Sequence, residues 1–323
     1  MVSIPFLARA APVAPAAHEQ LPTRGAAVLA RSTLAALSGL VFQSGLPAMS
    51  YPTDVTRDIL PKNIHSHNDY WRKVPLFDAL SVGCKSVEAD VHLVNGELLV
   101  GHTRVSLSHP RTLNSLYLDP IMQLLQMQNP TTSYSDATAS MTNGVFDMDP
   151  STSLQLIVDY KTEGEPLHAA IIDALAEYRS LDLLTHVNLS NPDAPTLNVR
   201  PLTIVCSGNC PLASVNAQAP IRDVFLDAPL ADIANSSYTK WNSMMASTSY
   251  RKLAGWSRSF DVDEEMAAEV KSLIKISQDK GITTRFWETP GWPSFARDKV
   301  WKALLDLGVD WINADNLKAA SEL

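Results

Sequence analysis

Between Asn63 and His102 the chain reads NIHSHNDYWRKVPLFDALSVGCKSVEADVHLVNGELLVGH, which sets His65, the pair Glu88 and Asp90, and His102 at or near the ends of strand-like runs. Further on, LQLIVDYKT adds Asp159 and Lys161 in the same kind of setting. Three carboxylates suit a hard divalent cation, Mg²⁺ or Ca²⁺ rather than zinc, because their donors are oxygens. Two imidazoles, titrating near neutral pH, suit the removal of a proton from a nucleophilic hydroxyl and the protonation of a leaving oxygen. A lysine adds a point charge for an anion. Together the set suits the cutting of a phosphodiester bond.

Each part also has a plainer reading. Glu88 with Asp90 alone fits a structural salt bridge or a surface-facing alternation. Spacing and company argue otherwise. Residues two apart on a strand share a face, so Glu88 projects with Asp90, and Asp159 with Lys161. Inside a barrel, uncompensated carboxylates would be costly, and a divalent cation removes that cost. A lone histidine is more often structural than catalytic, and His67, His92 and His109 are read that way. His92 could support Asp90 from behind. His67 shares the strand face of His65, so the two are the assignments most readily exchanged.

The elements that must position these residues alternate between strand-like and helix-like patterns from about Val55 onward. Pro75 opens a helical turn that Gly83 closes before the strand KSVEADV. Asn95-Gly96 marks a tight turn into GELLVGH. LQLIVDY reads as a buried strand, and Leu167, Ala170, Ile171, Ala174, Leu175 and Tyr178 trace one face of a helix after it. LTIVCSG, DVFLDA, TTRFWET and WINAD are further strands, with helices near 263–280 and 294–307. This alternation predicts a (β/α)₈ barrel over 55–323. A doubly wound open sheet fits less well, since no glycine-rich phosphate loop follows the first strand. Residues 103–153 are expected to form an elaborated loop on the catalytic face.

The formal net charge of −8, with no stripe of Lys or Arg, argues against nucleic acid as a partner. Residues 1–50 contain Arg9, Arg24 and Arg31 but a single acid, Glu19, and resemble a mitochondrial presequence, with a secretory signal as the rival. Sequons at Asn188 and Asn235 fit the rival. Cys206 and Cys210 are near enough in sequence to bridge in an oxidising compartment, leaving Cys84 single.

The order of HSHNDY, SVEADV, LLVGH and VDYKT resembles the phosphatidylinositol-phospholipase-C-like phosphodiesterase superfamily, which includes glycerophosphodiester phosphodiesterases and sphingomyelinase D-type toxins. Within it the chain is most similar to the fungal family of altered inheritance of mitochondria protein 6, over roughly residues 60 to 320. The resemblance implies a TIM barrel of the PLC-like type with one divalent cation, Mg²⁺ or alternatively Ca²⁺. It implies Glu88, Asp90 and Asp159 as metal ligands, His65 and His102 as the acid–base pair, and Lys161 and Trp287 as substrate contacts. Asp315, in NADN, resembles the Thr-Asp element of glycerophosphodiesterases. HSHN in place of His-Arg-Gly, and Asp159 in place of Glu, point toward the toxin-like and fungal branches. The expected substrate is a phospholipid or glycerophosphodiester. Peripheral membrane contact through Trp71, or through a loop holding Trp241, Met244 and Met245, is compatible with that. No protein partner is evident. The alternative is a barrel that binds a lipid or phosphate group without turnover; a metal-dependent sugar or aldol enzyme fits less well.

Overall fold

The computed structural model describes residues 56–131, 134, 142–258 and 262–323; the expected targeting segment 1–50 and part of the 103–153 loop lie outside the described residues. Eight strands span Lys62–Ser66 (β1), Cys84–Val94 (β2), Leu154–Tyr160 (β3), Leu202–Gly208 (β4), Val224–Pro229 (β5), Ser243–Ser249 (β6), Thr283–Trp287 (β7) and Ile312–Ala314 (β8). They pair in parallel in the order β7-β6-β5-β4-β3-β2-β1-β8. A bridge between Arg285 and Trp311 joins the two ends, so the sheet closes into the expected (β/α)₈ barrel.

Local chemistry explains the elements. Asn95 and Gly96 both take positive φ, as a two-residue type I′ turn requires, and Glu97–Val100 folds back antiparallel on β2. Gly83 has φ +84°, and a Cβ there would sit 2.2 Å from the Leu60 carbonyl oxygen, so only glycine fits the turn into β2. Helix Glu264–Asp279 begins on Asp263, whose carboxylate accepts from the Met266 amide, with Glu264 and Glu265 in the first turn. Its Met266, Val270 and Ile274 are buried on one stripe. No helix among the described residues is long and apolar enough to cross a membrane.

The strand register fixes what faces inward. Asp90 pairs with Asp159, Asp159 with Ser207, Asp227 with Met245, and Ser247 with Arg285, so all of these share the barrel interior. The lower interior is apolar on one side, where Ile157, Val205, Phe225 and Met245 meet Val187. Val187 belongs to a small antiparallel sheet of Thr196–Asn198, His186–Asn188 and Ile221–Arg222 that the sequence pattern did not suggest. Burial of each such side chain contributes about 1.5–3 kcal/mol.

One segment departs from expectation. Met244 and Met245 lie on β6 rather than in a loop, and Trp241 just precedes it. Met245 is fully buried, and Trp241 and Met244 pack against the same apolar floor. They sit at the amino-terminal end of the strands, away from the mouth formed by the carboxyl ends. SMMASTS lacks β-branched aliphatic residues and carries serines on its inward face, which is why it does not read as a strand.

Candidate active site

The carboxyl ends of the strands surround a cavity of about 560 Å³, lined among others by His67, Glu88, Asp90, His102, Asp159, Lys161, Asp227, Arg285 and Trp287. Six of the seven residues expected from sequence are therefore brought together. His65 is not among them. Its ring is fully buried one layer lower, with Nδ1 2.8 Å from Ser86 Oγ and Nε2 3.4 Å from Glu88 Oε2. Burial, helped by the Arg285 charge, pushes its pKa down to about 4, so the ring is neutral at physiological pH. The inward face repeats every second residue, and it is His67, nearer the strand's carboxyl end, that reaches the mouth.

His67 Nδ1 lies 2.9 Å from Asp315 Oδ1, and its Nε2 is 4.0 Å from Glu88 Oε2. Burial disfavours its protonation, but the bond to Asp315 and the charge of Glu88 outweigh this and raise its pKa. His102 Nδ1 lies 3.0 Å from Asp90 Oδ2 and 3.1 Å from the Tyr70 hydroxyl. Each imidazole thus has a carboxylate at Nδ1. That contact fixes the N–H there and leaves Nε2 for chemistry. His102 comes from the loop after the hairpin, and its ring packs 5.2 Å from that of Trp71, which is 62% exposed.

Between the imidazoles lies the acidic cluster. Glu88 accepts from the Asn68 backbone amide at 2.9 Å, with Asn68 in the left-handed conformation at φ 48°. Burial opposes ionisation of Glu88, but His65 and the charges of His67 and Arg285 prevail and hold its pKa well below the usual carboxylate range. Asp90 is shifted upward by burial and by the charge of Glu88, with Lys161 pulling the other way. Lys161 Nζ bridges Asp90 Oδ2 at 2.9 Å and Asp159 Oδ2 at 2.5 Å. Burial works against its charge, yet Asp159 and Asp90 raise its pKa. Asp159 in turn accepts from Ser207 Oγ at 2.6 Å. Gly208 packs beside it: φ is +65°, and a Cβ would lie 2.7 Å from Asp159 Oδ1. Cys206 and Cys210 are bridged, closing the turn that carries Ser207 and Gly208, and Cys84 is free and buried.

Whether this cluster suits a divalent cation can be judged from the donors. All three carboxylates offer hard oxygens, and Asp90 Oδ1 is buried without a hydrogen-bond partner. As they stand, no three His, Cys, Asp or Glu side chains among the described residues converge on one point. The Lys161 ammonium instead occupies the place between Asp90 and Asp159, as a cation would. In donor chemistry the set fits Mg²⁺ or Ca²⁺; in its present spacing it holds an ammonium.

Several site residues escaped the sequence reading. Tyr70, whose hydroxyl lies 2.7 Å from both Asp90 Oδ2 and Asn68 Oδ1, sits in the quoted HSHNDY without having been assigned a task. Arg285 is two residues before Trp287 and so shares its face, a signal the i, i+2 rule would have caught. Asp227, in DVFLDA, carried only the generic signal of an acid in an apolar strand. His92 Nε2 donates to the Gly101 carbonyl at 2.9 Å, and His109 pairs with Glu97 on the surface, both in structural roles.

Residues 53–227 match the model of the AIM6-like phosphodiesterase domain, so the barrel and its cavity are of phosphodiesterase type. The chain belongs to the family of altered inheritance of mitochondria protein 6. The Arthroderma benhamiae protein named Altered inheritance of mitochondria protein 6 homolog is 38% identical over 311 residues, which cover 91% of this chain and 96% of that one. Proteins named Altered inheritance of mitochondria protein 6 from Eremothecium gossypii and Saccharomyces cerevisiae are 34% and 32% identical, covering 85% and 86% of this chain and 73% and 75% of theirs. Among solved structures, phosphatidylinositol-specific phospholipase C from Listeria monocytogenes aligns over 86% of this chain and 95% of its own, at 10% identity and a TM-score of 0.44.

Proposed function

We propose that the chain is a metal-dependent phosphoric diester hydrolase acting on a phospholipid or glycerophosphodiester, with His67 and His102 as its acid–base pair. One observation carries the reading. Two imidazoles, each with a carboxylate at Nδ1, line the same cavity as the cluster of Glu88, Asp90, Asp159 and Lys161. His65, the first expectation, yields the catalytic role to His67 because its ring is sealed beneath the cavity.

Glu88, Asp90 and Asp159 would hold Mg²⁺, with Ca²⁺ as the alternative. When bound, such a cation offsets the negative charge that grows on a non-bridging phosphate oxygen. Lys161 brings a further positive charge to the phosphate. One histidine takes the proton of water or of a substrate hydroxyl, and the other protonates the departing alkoxide. Trp287 forms part of the wall against which the substrate rests. Exposed Trp71, beside His102, is suited to peripheral contact with a lipid surface. The relatives' names and the Arg-bearing, acid-poor leader support a mitochondrial location, while the Cys206–Cys210 bridge supports the secreted alternative. Imaging of the tagged full-length chain separates the two.

The test is mass-spectrometric product analysis after incubating the full chain with phospholipids, lysophospholipids and glycerophosphodiesters, with Mg²⁺ and again with EDTA. Cleavage that EDTA abolishes and Mg²⁺ restores is expected. Undiminished turnover in EDTA would overturn the metal role, and tight binding without product would favour the non-catalytic binder.

A further inference from the structure

The parallel ladder between β1 and β8 ends at Ser66 and Ala314. His67 and its partner Asp315 each lie one residue past that end, where the His67 amide still reaches the Ala314 carbonyl at 3.1 Å. The Asp315 side chain is 68% exposed. A carboxylate so open to water gains little from one contact and gives up side-chain freedom to keep it. Its 2.9 Å bond to His67 Nδ1 therefore depends on two main chains being held in place.

Arg72 holds them. The turn Asp69–Trp71 brings the chain back over the end of β1. From there Nε donates to Ser66 Oγ at 3.3 Å, one terminal nitrogen to the Asp315 carbonyl, and the other to the His67 and Ala314 carbonyls, both at 3.1 Å. Ser66 Oγ in turn donates to the buried Asp69 Oδ1 at 2.6 Å, which anchors the near side of the fork. Four of the five N–H groups of Arg72 are thus spent on the protein itself. Arg72 is also not among the residues lining the cavity, which sets it apart from a phosphate contact. A staple serving the fold alone could sit anywhere along the strands. This one grips the main-chain carbonyls of both members of the pair, and of Ala314 beside them.

We propose that Arg72 is a positioning residue, whose planar fork fixes the main chains of His67 and Asp315 so that the carboxylate aims the imidazole into the cavity. That role rests on the hydrolase reading above, but its geometry is measurable without turnover. Shape matters here more than charge. A lysine carries its three donors on one nitrogen and cannot span Ser66 and three carbonyls.

Arg72→Lys and Arg72→Ala in the full chain, beside the parent and His67→Gln, provide the test. With ¹⁵N-labelled histidine, the parent is expected to show a hydrogen-bonded Nδ1–H resonance that His67→Gln lacks and that both Arg72 variants lose to exchange with water. With bis(4-nitrophenyl) phosphate and Mg²⁺, well below each melting temperature, kcat should fall about 10- to 100-fold in both variants while KM moves less than about 3-fold, the mark of a loosely held catalytic group. Millimolar guanidinium should restore part of kcat to Arg72→Ala and none to His67→Gln. Persistence of the His67 resonance in both variants overturns the proposal, as does its absence from the parent. A parent-like kcat in Arg72→Lys would reduce the residue to its charge, and a rise in KM alone would make it a substrate contact. Guanidinium that restores the melting temperature of Arg72→Ala but not its kcat would reduce it to a fold staple. A resonance that depends on Arg72 in a chain that cleaves no diester would uphold the positioning and sink the hydrolase. Cleavage of diesters with a resonance indifferent to Arg72 would do the reverse.

Discussion

Replacing His67 and His65 one at a time by alanine sets two adjacent layers of the barrel against each other. His65→Ala removes a fully buried ring, but neither of its partners is orphaned: Ser86 Oγ still receives Gln155 Nε2 at 3.0 Å, and Glu88 Oε2 still receives the Asn68 amide at 2.9 Å. The cost is then mainly the void and the lost bonds, about 2–4 kcal/mol. For a barrel of this size that lowers the melting temperature by roughly 4–8 °C. His67 differs, with a side chain 23% exposed and bonded to an Asp315 that is 68% exposed. Its removal should cost no more than about 1 kcal/mol of stability, while kcat/KM for a cleaved diester falls about 10²–10⁴-fold. Thermal melts and initial rates on the same preparations read both quantities. The reasoning fails if His67→Ala stays within a few-fold of the parent rate while His65→Ala abolishes activity at an unchanged melting temperature.

Three further outcomes follow from particular contacts. His65 is held at about 4 against an ordinary 6.5, chiefly by burial, so the unfolded chain takes up this proton first as pH falls. Stability from this group is complete above about pH 6.5 and is lost on descending toward pH 4, on the order of 3 kcal/mol in all. Urea denaturation near pH 7 and near pH 4.5 should show a larger loss in the parent than in His65→Gln, and equal losses would refute it. Gly208→Ala forces a Cβ against Asp159 at a positive φ; about 1–3 kcal/mol of destabilisation is expected, with a rate deficit that persists well below the melting temperature. A Gly208→Ala variant as active as the parent would show that Asp159 needs no such support. Trp71→Ala should weaken sedimentation with phospholipid vesicles about 3- to 10-fold without changing the melting temperature, and unaltered sedimentation would remove Trp71 from any membrane-facing role.

Much of this site could be read from the chain because its residues come in pairs two apart on strands. Glu88 with Asp90, and Asp159 with Lys161, share a face whatever the tertiary detail, and the register of β2 against β3 then sets Asp90 beside Asp159. The hairpin was legible because Asn95-Gly96 is a turn with a backbone requirement. β6 was not, because its inward residues are serines and methionine, and closure of a barrel rather than local preference makes SMMASTS a strand. The Cys206–Cys210 bridge sat at the boundary: spacing allowed it, and the fold brings the Cα atoms to 5.7 Å.

The exchange of His65 for His67 shows what periodicity leaves out. A period of two assigns a face but not a depth, and in a parallel barrel depth decides chemistry, since only the carboxyl ends of the strands meet the substrate. The inward residue closest to each strand's carboxyl end is therefore the one to weigh. Applied to β1, that rule selects His67 over His65; on β3 it selects Asp159 and, just beyond, Lys161; on β4, Ser207; on β5, Pro229 with Asp227 beneath it; on β7, Trp287 with Arg285 beneath it. These are the residues that line the cavity. The lower inward positions, Ile157, Val205, Phe225 and Met245, are apolar and closed, and His65 among polar neighbours at that level is neutral for the same reason they are dry. The boundary between dry floor and polar mouth thus falls within a single step of two residues, and on β1 that step separates a fully buried imidazole from one that lines the cavity.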